Sequence, residues 1–254
     1  MKRIYGKAQL GEVIFQLRFP TILSINGKEP VDFQDAIRET FPIYQLSNES
    51  EQTIELQQQG QTMIPSFIRK AEIKNHAFIN AEGTWKINLT SNFISISTRT
   101  YFTWEDLFEK FEPVLTCFEK IYRPAFYERI GLRYVNIFSR KALSLESYKW
   151  SELVKPHLVG VLSEVPDENV KVFNMDAEYE LGEKCAVRVH TGLGTTPNDT
   201  EQKFVIDADY FSLSKTKLDE KKVVANKLYG FSHEFISNAI TETLDIAMEP
   251  KEYE

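Results

Sequence analysis

The chain has 254 residues, of which 30 are basic and 37 acidic, giving a net charge of −7 with 42% hydrophobic and 13% aromatic content. That length and apolar fraction can bury a core without disulfide or metal staples, and they exclude disorder, collagen and coiled coil as the main state. No run approaches the roughly 18 apolar residues of a membrane span, and the opening MKRIYGKAQLGEV has no apolar leader region, so a cytoplasmic protein is expected.

In residues 10–19, Val13, Phe15, Leu17 and Phe19 alternate with Glu12, Ile14, Gln16 and Arg18, the pattern of a strand buried on one face. Asn26-Gly27 and Pro30 mark a turn. Phe33, Ala36, Ile37 and Phe41 then have helical spacing over 31–41, closed by Pro42. Residues 43–58 read as two strand pieces broken at a Ser-Asn pair. Residues 66–80 and 84–101 read as further strands, the second bent or turned at Ser91-Asn92. Thr103 opens a helix: its hydroxyl can cap free backbone donors, and Glu105 and Asp106 suit the positive end of the helix dipole. Leu107, Phe108, Phe111, Leu115, Phe118 and Tyr122 form its apolar stripe, with a kink expected at Pro113 and an end before Pro124. Residues 126–138 are again a strand, and 147–162 give short helical turns broken near Pro156. Strands follow at 170–181, 185–192 and 203–213. The polar segment TGLGTTPNDTEQ reads as a mobile loop between the last two, and a final helix is expected over 219–247, with Gly230 its weak point.

The order strand, helix, several strands, long helix occurs twice. The expected class is therefore α+β, a tandem duplication of a β-α-β(3–4)-α unit over 1–125 and 126–254 in one compact body. An antiparallel sheet would carry its helices on one face. The arrangement resembles the saddle of TATA-box-binding-protein-like folds, an analogy that assigns no function.

Several residue groups could carry chemistry. Arg129 and Arg133 flank Gly131 on one strand face, so two guanidiniums beside a bare glycine could hold a carboxylate or phosphate, or each could pair with an acid on a neighbouring strand. Asp176, Glu178 and Glu180 share a face, as do Asp207 and Asp209, and as do Arg188 and His190. If these faces coincide, Asp176, Glu178, Asp207 and Asp209 could bind a divalent metal such as magnesium or manganese, the one cofactor the sequence suggests. The competing reading is a solvated face of cross-strand ion pairs. Val205, Phe211 and Leu213 alternate onto the same face, so an aspartate there is partly buried or a bulge intervenes. Phe173, Met175, Ala177, Tyr179 and Leu181 take the opposite, core face of their strand.

His233 falls off the Phe231/Phe235 stripe and reads as a helix-surface or interface residue. Gly192-Leu-Gly194 lacks the remaining positions of a nucleotide-binding loop. Cys117 and Cys185 read as reduced and buried. An acidic chain argues against nucleic acid as a partner.

The run Arg129-Ile-Gly-Leu-Arg-Tyr-Val-Asn136 resembles the RIGLRYxN block of a sporadically distributed family of uncharacterised prokaryotic proteins of about this length. GEVIFQLRFP, Tyr101-Phe-Thr-Trp104 with Leu107 and Phe108, Phe204 to Asp209, and His233, Phe235 and Ile240-Thr241 resemble further blocks. The resemblance brings no catalytic residues. It implies mobile genes near phage-defence or toxin–antitoxin loci. With no specific catalytic motif, the first expectation is a non-enzymatic recognition or adaptor protein. It would bind a partner protein, such as the product of a neighbouring gene, or a small ligand, through Arg129, Arg133, Arg188 and His190. It could be an accessory, antitoxin-like or sensor component of a defence locus. The alternatives are a metal-dependent hydrolase or nuclease using the acidic face, and a nucleic-acid-binding saddle.

Overall fold

The computed structural model of the chain describes residues 2–59, 62–196 and 199–253. A short strand β1 (Lys2–Tyr5) precedes β2 (Leu10–Arg18), where the expected alternation holds: Val13, Phe15 and Leu17 are buried, and Arg18 is exposed. Two short helices follow, α1 (Leu23–Gly27) and α2 (Val31–Ile37), the latter burying Phe33 and Ile37 and ending before the expected Pro42. Strand β3 (Ile43–Gln59) is one element with an irregularity between Ser50 and Gln52, not two pieces. It forms a hairpin with β4 (Thr62–Ile79).

Residues 84–101 hold β5 (Trp85–Leu89) and β6 (Phe93–Thr98), joined by a tight turn at Ser91-Asn92. The Thr90 hydroxyl holds that turn, accepting from Phe93 N at 3.0 Å. Helix α3 (Trp104–Tyr122) starts where Thr103 Oγ1 accepts from Asp106 N at 3.1 Å. It runs unbroken through Pro113 and ends at Arg123, whose φ of 49° is left-handed.

The second half contains β7 (Arg129–Phe138), α4 (Trp150–Leu153), α5 (Pro156–Val159), β8 (Asn174–Gly182), β9 (Cys185–Thr196) and β10 (Asp199–Ser212). It ends with α6 (Lys221–Ala239), α7 (Glu242–Ala247) and β11 (Pro250–Tyr253), which pairs antiparallel with β1. The protein is α+β, built on a nine-stranded antiparallel sheet of order β3-β4-β5-β6-β2-β7-β10-β9-β8. Buried side chains of α2, α3, α4 and α6 join Phe15, Ile87, Leu132 and Phe204 in one core on one face of that sheet. Among the described residues, no helix is long and apolar enough to cross a membrane.

Three local expectations change in tertiary context. The described residues of the segment read as a mobile loop extend β9 to Thr196 and begin β10 at Asp199, with a bulge before Lys203. The last helix breaks at Ile240 (φ −109°, ψ 159°), which bridges Val154, while Thr241 N donates to Leu153 O at 2.9 Å. Two consecutive β-branched residues leave the helix there to pair with the end of α4, and Gly230 lies inside unbroken α6. Strand β8 is the sheet edge, so Ala177 and Tyr179 are exposed instead of core.

Candidate functional site

Antiparallel register places all eight of the sequence-nominated side chains on the sheet face away from the helices. Arg133 lies opposite Asp209, Asp209 opposite Arg188, and Arg188 opposite Glu178. In the neighbouring row Asp207 lies opposite His190, and His190 opposite Asp176. The acids do not converge, because each is engaged by a base. Arg129 Nη2 donates to Asp209 Oδ2 at 2.7 Å, and Arg133 grips Asp207 bidentately, with Nε to Oδ1 at 2.7 Å. Arg188 Nε donates to Glu178 Oε2 at 2.7 Å, and His190 Nδ1 meets Asp176 Oδ1 at 2.9 Å. Among the described residues no group of three His, Cys, Asp or Glu is placed to hold a metal.

The bare glycine also has a structural cause. The Arg129 guanidinium lies where a Cβ on Gly131 would stand, so the glycine lets Arg129 cross the strand to Asp209 and rest on the Phe211 ring at 4.5 Å. The space that could have received an external anion is filled from within. Burial pushes the Asp209 carboxyl above its ordinary range against the pull of Arg129, and burial likewise lowers Arg129. Asp207 and Asp209 are indeed partly buried beside Val205 and Phe211, with side-chain exposures of 17% and 28%.

A different site lies on the helix side. Tyr134 and Asn136 continue the inward face of β7 beyond Ile130 and Leu132. There they line a cavity of about 130 Å³ beside α6, closed on another side by Tyr5 of β1 and by Met248. Tyr101, Tyr210, Tyr229, Ser232 and His233 complete its inner wall, while exposed Ala8 and Phe102 form the rim. The Tyr101 and Tyr134 hydroxyls meet at 3.1 Å and their rings are perpendicular, 88° at 5.6 Å. Burial pushes the Tyr134 hydroxyl well above its ordinary range, partly offset by hydrogen bonds from its neighbours Tyr101 and Ser232. Behind this wall Trp104 stacks on Tyr229 at 5.7 Å and donates from Nε1 to Asn226 Oδ1 at 2.8 Å. Among the described residues, no Asp, Glu, Lys or Arg side chain lines the cavity.

His233, expected at a helix surface or interface, is half-buried and lines the cavity. Tyr101, Tyr134, Tyr229 and Ser232 carried no sequence nomination. One signal existed, a tyrosine and an asparagine prolonging the apolar face of a strand where aliphatic residues would fill a core. The exposed His157 lies on α5, and Cys117 and Cys185 are both free thiols, the first only half-buried. Buried His76 accepts at Nδ1 from the Tyr44 hydroxyl (2.9 Å) and donates from Nε2 to Ile25 O (3.2 Å), because a carbonyl can only accept. No protein-family model matches the chain, and no curated protein matches it.

Proposed function

We propose that this protein is a recognition protein that binds a small ligand in the tyrosine-lined cavity between α6 and the sheet. The observation that carries the reading is the cavity itself, a concave, mainly aromatic site with a few converging hydroxyl, amide and imidazole groups at an accessible rim. The charged face supports it by contrast, since Arg129, Arg133, Arg188 and His190 are already partnered by the acids. The same pairing withholds support from a metal-dependent hydrolase or nuclease. A nucleic-acid saddle gains nothing from a face whose bases are neutralised and whose chain is acidic.

The reading includes the architecture. The halves 1–125 and 126–254 are taken as a duplicated unit forming a saddle like that of the TATA-box-binding protein. The supporting observation is that β2 and β7 lie side by side at the centre, flanked by the meanders β6-β5-β4-β3 and β10-β9-β8. A sensor or accessory role in a prokaryotic defence locus fits a ligand-binding chain of this kind.

The test is capture. The protein is equilibrated with a small-molecule extract of bacterial cells, separated, and its bound compounds are identified by mass spectrometry. An Ala8→Trp variant, which fills the rim at an exposed position, serves as control. A compound enriched by the wild type and lost with Ala8→Trp is the expected result. Equal profiles for the two proteins, or no enrichment by either, overturn the reading.

A further inference from the structure

We infer that the cavity takes an uncharged ligand that inserts a single six-membered aromatic ring bearing a hydroxyl or ring-nitrogen group. This inference rests on reading the cavity as the ligand site. Charge is the first argument. Among the described residues the lining contains no side chain of Asp, Glu, Lys or Arg, so an ion moved from water into such a wall loses its hydration and meets no carboxylate, ammonium or guanidinium there. The Tyr134 hydroxyl, held protonated by burial, supplies no anion to meet a cation.

Size is the second argument. A volume of about 130 Å³ is close to the roughly 150 Å³ apolar cavity that accommodates one benzene, and well below the roughly 300–1,000 Å³ of sites that enclose larger ligands. A nucleotide does not fit inside, whereas one ring does.

The third argument is ring geometry. Perpendicular pairs surround the space: Tyr101 with Tyr134 at 88°, Tyr229 with His233 at 76°, and Tyr210 with Phe235 at 73°. Such pairs offer ring faces and ring edges side by side, so an inserted aromatic ring finds edge-to-face partners that an aliphatic ring cannot match. The Tyr101 and Tyr134 hydroxyls, 3.1 Å apart, set a polar edge in the wall, where a hydroxyl or ring nitrogen of the inserted ring meets hydrogen-bonding groups instead of carbon.

The experiment uses phenol, benzoate, cyclohexanol and toluene as probes, titrated at pH 7 with protein-observed NMR and calorimetry. Phenol should bind saturably and shift the resonances of Tyr229 and Ser232. Benzoate and cyclohexanol should bind at least about tenfold more weakly, the first for its charge and the second for its lack of a π-system. Tyr134→Phe should weaken phenol by about five- to tenfold, the value of one hydrogen bond, and leave toluene unchanged. Tyr101→Phe, which removes the partner hydroxyl of the pair, gives the same comparison if Tyr134→Phe fails to fold. Benzoate or cyclohexanol binding as tightly as phenol overturns the inference, as does an equal loss of phenol and toluene in the hydroxyl variants. A captured cellular compound that is charged or non-aromatic, but is still lost with Ala8→Trp, overturns this inference while leaving the cavity as the ligand site. Absence of both capture and probe binding overturns the two together.

Discussion

Replacing Arg129 by methionine strands a carboxylate in the middle of the sheet. Arg129 and Asp209 meet at 2.7 Å with side-chain exposures of only 22% and 28%. Exposed pairs are worth at most about 1 kcal/mol, and breaking a fully buried pair costs about 3–5 kcal/mol. This pair lies between those limits. Methionine keeps part of the stem that packs on Phe211, so the expected loss is about 2 kcal/mol. For a chain of this size that corresponds to a fall in melting temperature of roughly 4–8 °C.

The sign of the pH dependence follows from burial. Asp209 already titrates above its ordinary value in the folded protein, and removing the guanidinium raises it further. A carboxyl whose folded pKa exceeds its unfolded value is stabilising while protonated, and that contribution is lost as pH rises through the folded pKa. The deficit of Arg129→Met should therefore be full at pH 7 and shrink on acidification toward the unfolded value of 3.8. Adding Asp209→Asn removes the stranded charge and should restore most of the lost stability at neutral pH. The assay is urea denaturation of the wild type, both single variants and the double variant at pH 7 and about pH 4.5, with the charge effect assigned by linkage. A double variant as unstable as Arg129→Met, or a deficit that does not change with pH, would refute the reasoning.

Two further outcomes test the polar interior. His76 is held below its ordinary value of 6.5 chiefly by burial, so its contribution is fully present above that pH and declines as pH falls through the lower folded value. Nitrogen-detected NMR should find its neutral Nε2–H tautomer at pH 7, and a ring titrating at or above 6.5 would contradict the assignment. Asp167 accepts from Arg140 Nη1 at 2.8 Å and from Trp150 N at 3.0 Å, and it is 4% exposed. Asp167→Ala should cost about 3 kcal/mol or more by leaving the buried Trp150 N–H without an acceptor and Arg140 without its counter-ion, with only Tyr148 O still accepting from Nη1, and Asp167→Asn less, about 1–2 kcal/mol, because the amide oxygen still serves Trp150. Equal losses in chemical denaturation would show that the acceptor geometry is immaterial.

Much of the scaffold is legible in local pattern. A period of two placed Val13, Phe15 and Leu17 inward, and the same period put Arg129, Gly131 and Arg133 on one face. Thr103 with its acidic first turn marked the start of α3 to the residue. Local pattern went astray where a partner from far along the chain decides the outcome. Ile240 leaves helical geometry to pair with Val154. Residues after His190 stay extended because Val205 and Phe204 supply their hydrogen-bonding edge. Strand β8 has core-like alternation, yet as the sheet edge it leaves Tyr179 45% exposed.

The candidate site divides in the same way. Alternation along single strands gathered the charged residues onto common faces, because a side chain's face depends only on its own strand's pleat. Which acid meets which base depended on register between strands some 80 residues apart in the chain, as with Arg129 and Asp209. The cavity lay further from view still. Tyr101, Tyr134, Tyr229 and Met248 come from separate segments, and a concave space exists only where the surfaces of packed elements fail to fill it, a property no single segment possesses.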